Sequence, residues 1–305
     1  MNGHYVNKNG HDAYKTIQEA INVAEAGDEI LVASGVYKEK ISLTTPGVTL
    51  RGSAADQCII SWQDYALKDH EDGCSYGTFR SYTCLLQGDD IKLENITIEN
   101  KAGDGREVGQ AIALYVDGDR ISINNCCLIG HQDTLFTGPL PLSPKIPGSF
   151  TGPSMDHVYR QQRHYYHHCS IIGDVDYIFG SALAVFNGCS LLTRNRGLKV
   201  NGYVTAPSTW QGEPYGYVFY QCEFKGEEGI EPASVFLSRP WREYGQVKLI
   251  DCKLDGSIHE ALWDPWGSIE HFKTTTFDLL TNASMEFLDP WHINQLKNKA
   301  LKGNK

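Results

Sequence analysis

Two acidic residues interrupt an otherwise apolar run at residues 173–180, Gly-Asp-Val-Asp-Tyr-Ile-Phe-Gly. A strand buried on both faces reads as Val and Ile without charge. A carboxylate there is costly unless it is hydrogen-bonded or paired, so at least one of Asp174 and Asp176 faces a partner or a cleft. A second acidic position lies upstream in similar surroundings, in Gly130-His131-Gln132-Asp133-Thr134-Leu135-Phe136. Embedded carboxylates with amides beside them point to acid–base and nucleophilic chemistry on a carbonyl or an acetal.

The elements that must hold these groups show themselves as a degenerate repeat. A polar residue, a Cys or Ile, any residue, an apolar residue, any residue and usually a Gly recur at residues 94–100, 125–130, 168–173, 188–193, 221–226 and 251–256. Alternation places the Cys and the second apolar residue on one face of a short strand, and the Gly or Asn ends it in a turn. Ile96 and Cys126 are 30 positions apart, and the steps to Cys169, Cys189, Cys222 and Cys252 are 43, 20, 33 and 30. A constant strand motif at irregular spacing predicts stacked coils with variable loops, a β-solenoid. The five cysteines then form an interior ladder of small buried residues.

Residues 14–24 carry Ile17, Ala20, Ile21 and Ala24 at helical spacing, which predicts a short amphipathic helix ended by Gly27. Such a helix covers the open end of a solenoid. The first strand is then expected at residues 29–33. Residues 137–158 contain five prolines and form a long inserted loop, either a rim over a binding site or a surface insertion. His164, His167 and His168 are expected on a polar coil surface, because three-residue spacing does not bring two side chains together on a strand. No metal site is expected there. The whole of residues 1–305 reads as a single β-helix domain, with an N-terminal cap at 1–27 and a divergent C-terminal cap at 272–305.

A chain of 305 residues with 41% hydrophobic content can bury a substantial core. Its net charge of −10 disfavours nucleic acid, which needs a basic footprint. The same charge is awkward for a polyanionic sugar, whereas a neutral, esterified polymer meets no such repulsion. No run of about 18 apolar residues predicts a membrane span. The nine cysteines are odd in number and lack any C-x-x-C pair, which favours reduced thiols over disulfides or a zinc ribbon. Residues 1–10 are polar and lack the pattern of a secretory signal, so a cytoplasmic location is expected, or a secreted one if a leader precedes this sequence.

Five stretches, in order, carry a resemblance. They are Gly35-Val36-Tyr37-Lys38-Glu39, Gln110-Ala111-Ile112-Ala113-Leu114, residues 130–136, residues 174–180, and Leu237-Ser238-Arg239-Pro240-Trp241. Together, over roughly residues 5–267, they closely resemble the signature set of pectin methylesterases, carbohydrate esterases built on an all-β, single-stranded right-handed parallel β-helix. The resemblance implies Asp176 as nucleophile, Gln110 and Gln132 as amide donors to an oxyanion, and Asp133 as general acid and base. It implies Arg239 as the partner that keeps Asp176 ionised, and Trp241 as a residue packing on the sugar ring. Thr78 resembles a substrate-contact position, and Phe136 and Phe179 are expected to line the same groove. The chain departs from the family pattern at Ser238, where Gly is usual, at His131, and after Gly267, where the usual glycine-rich closing segment has no match.

The activity implied by the resemblance is removal of methyl groups from galacturonate in pectin or oligogalacturonates, without a cofactor, by a monomer that binds neither nucleic acid nor membrane. Alternatives are a related β-helix esterase acting on another acyl ester, a galacturonan hydrolase or lyase, and a non-catalytic carbohydrate-binding solenoid.

Overall fold

Each turn of the chain adds a strand to each of three parallel sheets, and the sheets run the length of the molecule. The computed structural model describes residues 2–145, 147–155, 159–267 and 269–300. Within them the sheets contain ten, seven and eight strands, stacked in the order of the coils. The fold is an all-β parallel β-helix. Residue 146 and residues 156–158 of the Pro-rich stretch, and residues 301–305 of the expected C-terminal cap, lie outside the described residues.

The repeat motif marks a corner of the coil. Asn95, Asn125, His168, Gln221 and Asp251, the polar residues that open the motif, have φ of +50° to +56°. Asn and Asp tolerate this left-handed conformation better than most side chains, and Gly188 takes the same place in another coil at +61°. The backbone thereby turns from the ten-stranded sheet into the eight-stranded one. The cysteine sits at this corner, just ahead of the strand rather than on it, and points inward. Cys126, Cys169, Cys189 and Cys222 are buried and Cys252 is partly so. Burial pushes the four buried thiols well above their ordinary range, which makes them packing groups rather than nucleophiles.

Inward columns fill the solenoid. Ile98, Leu128, Ile171, Leu191 and Phe224 form one, in register across the eight-stranded sheet. Tyr166, Phe186 and Phe219 form another, their rings stacked at 4.4 and 4.5 Å between centroids. Stacked like residues are the natural product of a parallel register, in which each coil places its side chains over those of the last.

The N-terminal helix spans Ile17–Val23 and buries Ile17, Ala20 and Ile21. It ends at Ala24 in extended backbone, ahead of the expected stop at Gly27. Thr16 and Glu19 form a capping box, and the Glu39 carboxylate accepts from the backbone N–H groups of Ile17 and Gln18 at 3.0 and 3.1 Å. The first of the five sequence stretches thus contributes its glutamate to the helix cap. The first strand is Gly3–Val6, ahead of the helix, and Glu29–Val32 pairs with it as the second. Sequence patterning does not reveal this strand, because half-exposed residues break its alternation.

At the other end, Thr276–Leu280 pairs in parallel with Gln246–Ile250 and extends the ten-stranded sheet. The helix Pro290–Ala300 then lies over that sheet's outer face, where Leu288, Trp291, Ile293 and Leu296 meet Tyr165, Val185, Tyr215 and Val218. The expected surface position fails for His164 alone of the three clustered histidines. His164 is fully buried, its Nε2 at 3.0 Å from the Gly118 carbonyl oxygen. His292 bridges to it: Nδ1 lies 2.8 Å from the Tyr215 hydroxyl and Nε2 2.9 Å from the His164 carbonyl oxygen. His164 lies on the inward side of the coil with Ile121, Tyr166 and Ala184, whereas His167 is partly buried and His168 is exposed, as expected.

Burial pushes both His164 and His292 down to about 4. An unfolded histidine titrates near 6.5, so between these values the unfolded chain binds more protons than the folded one. Stability contributed by the neutral rings is complete above pH 6.5 and is lost as pH falls towards 4. Thermal unfolding at pH 7 and pH 4.5 should show the effect, with a drop in Tm of roughly 5 °C traceable to the pair. His292→Gln should remove part of that drop; an identical pH slope in wild type and variant would contradict the assignment.

Candidate active site

The seven-stranded sheet carries the acidic positions. Gln110 leads into the strand Leu114–Val116, Gln132 and Asp133 lead into Leu135–Thr137, Asp176 lies within Val175–Gly180, and Arg239 follows Val235–Ser238. The first three strands are successive neighbours, and Gly202–Pro207 separates the third from the fourth. Four coils thus converge on one outer face.

Both acidic positions sit at breaks in regular strand geometry. Asp133 has φ +65° and Asp176 φ +50°, and the pairing of residues 175–180 with Gly202–Pro207 slips between Val175 and Ile178, a β-bulge. A bulge re-aims the side chain it carries. Without it, Asp176 would follow strict alternation between the solenoid interior and the outer face. Glycines make the bulge possible. A Cβ at Gly173 would lie 2.2 Å from the Tyr177 Cβ, and one at Gly180, which has φ +128°, would lie 2.0 Å from the Thr137 carbonyl oxygen.

Arg239 grips Asp176 with both arms: Nε donates to Oδ1 at 2.8 Å and Nη2 to Oδ2 at 2.7 Å. The guanidinium is held flat between aromatic faces, 3.9 Å from the ring centroid of Tyr203 and 3.9 Å from that of Trp266. Asp174 has a different role. It is 1% exposed, its Oδ2 lies 2.9 Å from His131 Nδ1, and its Oδ1 accepts from the Val175 N–H at 2.7 Å. The competing acid of the motif therefore tethers the loop that carries Asp133.

Asp133, Asp176, Gln110, Gln132 and Arg239 line one cavity of about 320 Å³. Burial pushes the Asp133 carboxyl well above the usual range, and the neighbouring Asp176 charge pushes the same way. Burial also raises Asp176, while the two hydrogen bonds and the charge of Arg239 pull it back. The two carboxyls are thus held apart in acidity, with Asp133 the weaker acid. Arg239 moderates the rise of Asp176 without cancelling it, a milder effect than the sequence reading assigned to it.

Thr78, Phe179 and Trp241 line the same cavity. Phe136 does not. It is fully buried in a row that runs in register across the outer face, Leu85, Tyr115, Phe136, Phe179 and Ala206. The expectation that Phe136 lines the groove is corrected: it packs beneath the floor, 5.0 Å from Phe179 and 4.6 Å from Tyr115 between centroids. The sequence reading missed Lys145, Phe150 and Trp266 as cavity residues. Trp266 stood in a segment already matched to the family pattern, while Lys145 and Phe150 belong to the Pro-rich stretch, whose contacts no local pattern encodes.

That stretch is fastened to the solenoid. Asp117 accepts from Gln162 Nε2 at 2.6 Å and from the Ser154 hydroxyl, and Arg242 Nη2 donates to the Ser143 carbonyl at 3.3 Å. Asn100, nearly buried, donates to the carbonyls of Asp64, Ser81 and Ile112, and so ties the segment bearing Thr78 to the one bearing Gln110.

A family model described as pectinesterase matches residues 4–139 and 152–285. The chain belongs to the pectinesterase family. It is 30% identical to the probable pectinesterase/pectinesterase inhibitor 23 of Arabidopsis thaliana over 88% of its length, and spans 44% of that protein. It is 31% identical to a pectinesterase of Petunia integrifolia, covering 88% of this chain and 67% of the relative. Its fold superposes on a crystal structure of pectin methylesterase in complex with a hexasaccharide with a TM-score of 0.74 at 26% identity, over 94% of this chain and 91% of that one. The expected cytoplasmic location is overturned by these relatives: plant pectinesterases act on a cell-wall polymer, outside the cytoplasm.

The geometry around Arg239 can be tested directly. Arg239→Met removes the cation that holds the Asp176 carboxyl down, so its titration should move upward, by one to two units in order of magnitude for a close opposite charge. Carboxyl-resolved NMR of labelled protein reads this out, and an unmoved titration would mean that burial alone sets the acidity.

Proposed function

We propose that this chain is a pectin methylesterase, which hydrolyses the methyl esters of galacturonate in pectin or oligogalacturonates and releases methanol. The observation that carries the reading is a buried pair of carboxyls of unequal acidity, one gripped by Arg239, sharing a cavity with two amide side chains. Membership of the pectinesterase family, and a hexasaccharide bound to a pectin methylesterase of the same fold, support the substrate class.

The chemistry rests on the protonation states. Asp176, ionised against Arg239, attacks the ester carbonyl carbon through one carboxylate oxygen, and the carbonyl electron pair moves onto oxygen. The Nε2 donors of Gln110 and Gln132 face the oxyanion. Collapse breaks the bond to the methoxy group, which takes the Asp133 proton and leaves as methanol. The product is an anhydride between galacturonate and Asp176. Asp133, now a carboxylate, takes a proton from water as its oxygen attacks the galacturonyl carbon. Asp176 leaves as a carboxylate, and Asp133 is protonated again.

Each role has a distinct expected loss. Asp176→Ala should abolish methanol release from highly methylated pectin. Asp133→Asn should lower kcat by a factor of about 10² to 10⁴, the usual contribution of a positioned proton donor. Gln132→Ala should cost about 10² to 10³ if it donates to the oxyanion. Because Asp133 must be protonated for the first step, kcat should fall on the alkaline side as it ionises. Substantial methanol release by folded Asp176→Ala would overturn the nucleophile assignment.

A further inference from the structure

Two residues singled out in the sequence take no part in the chemistry above. One is Asp174, the second acid of the motif that carries Asp176. The other is His131, a departure from the family pattern that directly precedes Gln132 and Asp133. The structure joins them in one contact, with Asp174 Oδ2 at 2.9 Å from His131 Nδ1. Asp174 is buried and the imidazole is partly exposed. The contact spans two neighbouring coils whose backbones already interlock. The Asp174 N–H donates to the His131 carbonyl at 3.2 Å, and the Asp133 N–H to that of Val175 at 3.0 Å. One partner thus sits beside each of the two aspartates that share the cavity.

Asp174 is a third carboxylate next to two that must differ in charge. Burial is the main cause that raises Asp133 and Asp176, and the Asp174 charge adds to it in both. Tyr177 and Arg106 face the same charge. The cations around the contact have partners of their own. Arg106 pairs with Asp104 at 2.5 Å, and Arg239 with Asp176 at 2.7 Å. Arg194 donates from Nε to the Gly130 carbonyl at 2.7 Å, and its Nη1 lies 3.7 Å from Glu227. Among the described residues, His131 alone pairs with Asp174. With Asp174 a carboxylate, the contact is neutral overall when His131 is protonated and negative when it is not. Histidine is the side chain whose charge ordinarily changes between pH 5 and 8. Nδ1–H donates to the carboxylate in either state, so the hydrogen bond persists while the charge changes.

We propose that His131 is a positioning residue that, through Asp174, widens the pH range over which the two cavity aspartates hold opposite protonation states. The proposal rests on the esterase reading, in which Asp176 must be ionised and Asp133 protonated. On the acid side, the protonated imidazole cancels the Asp174 charge, and ionised Asp176 persists to lower pH. On the alkaline side, the neutral imidazole leaves that charge uncompensated, and Asp133 keeps its proton to higher pH. One titrating side chain thereby extends both limbs. A fixed cation in its place extends only the first, and a neutral amide only the second.

His131→Asn separates charge from geometry, because its Nδ2 can replace Nδ1 in the hydrogen bond but carries no charge. The acid limb of kcat for methanol release should then move up by roughly half to one pH unit, and the alkaline limb should stay. Asp174→Asn removes the negative charge, so the alkaline limb should move down and the acid limb should not move up. At the optimum, His131→Ala should lose about tenfold in kcat, the order of one hydrogen bond to a charged group, and His131→Asn should recover much of that loss. Carboxyl-resolved NMR of the same folded variants reads the coupling without turnover. The Asp176 titration should move up in His131→Asn, and that of Asp133 down in Asp174→Asn. Unmoved limbs in both variants, with unmoved carboxyl titrations, would reduce the pair to a tether and overturn the proposal. No methanol from the wild type, with carboxyl titrations that shift as described, would overturn the esterase reading and leave the charge coupling standing.

Discussion

The contact between Arg239 and Asp176 joins residues 63 positions apart and bridges strands that are not even neighbours in the sheet. Its two hydrogen bonds are short and nearly equal, which demands that the intervening coils stack in fixed register. A buried ion pair adds little to stability by itself. Its value here is that it forces one carboxylate to remain available in a place where burial would otherwise neutralise it. Asp133, a coil away and without such a grip, is pushed further up. The division between the proposed nucleophile and the proposed proton carrier thus depends on one guanidinium, which lies over the rings of Tyr203 and Trp266.

The solenoid suits this task because it separates packing from chemistry. Inward columns of aliphatic and aromatic residues stabilise the stack, and the outer face of one sheet is left to carry function. Strict alternation alone cannot put acids wherever chemistry needs them. The bulge at Asp176 and the left-handed backbone at Asp133 break it at the required places, and strain of this kind persists only where the surroundings enforce it. Gly173 and Gly180 bracket the bulge and admit the close approaches that it needs.

Much of this was legible in the sequence. Acids within an apolar run announced the site, and the recurring polar–Cys–x–apolar motif announced the coils, because both patterns follow from local burial. The left-handed corner at Asn95, Asn125 and His168 was present as a polar position but not readable as a conformation. Long-range packing was the harder part. Nothing near His164 in sequence tells that its backbone carbonyl will meet a helix 128 residues later, and nothing in Phe136 distinguishes a groove wall from the layer below. Lys145 and Phe150 reach the cavity through a stretch with no periodicity at all. The cytoplasmic expectation failed for a different reason: it rested on how the chain begins, and the start of a sequence is not a property of its fold.

The Pro-rich stretch is tied down on both flanks, by Arg242 at Ser143 and by Asp117 at Ser154. A rim fastened in this way has already surrendered much of its conformational entropy before any polymer arrives. Binding need not spend interaction energy on ordering it, and more of that energy remains for the reacting ester.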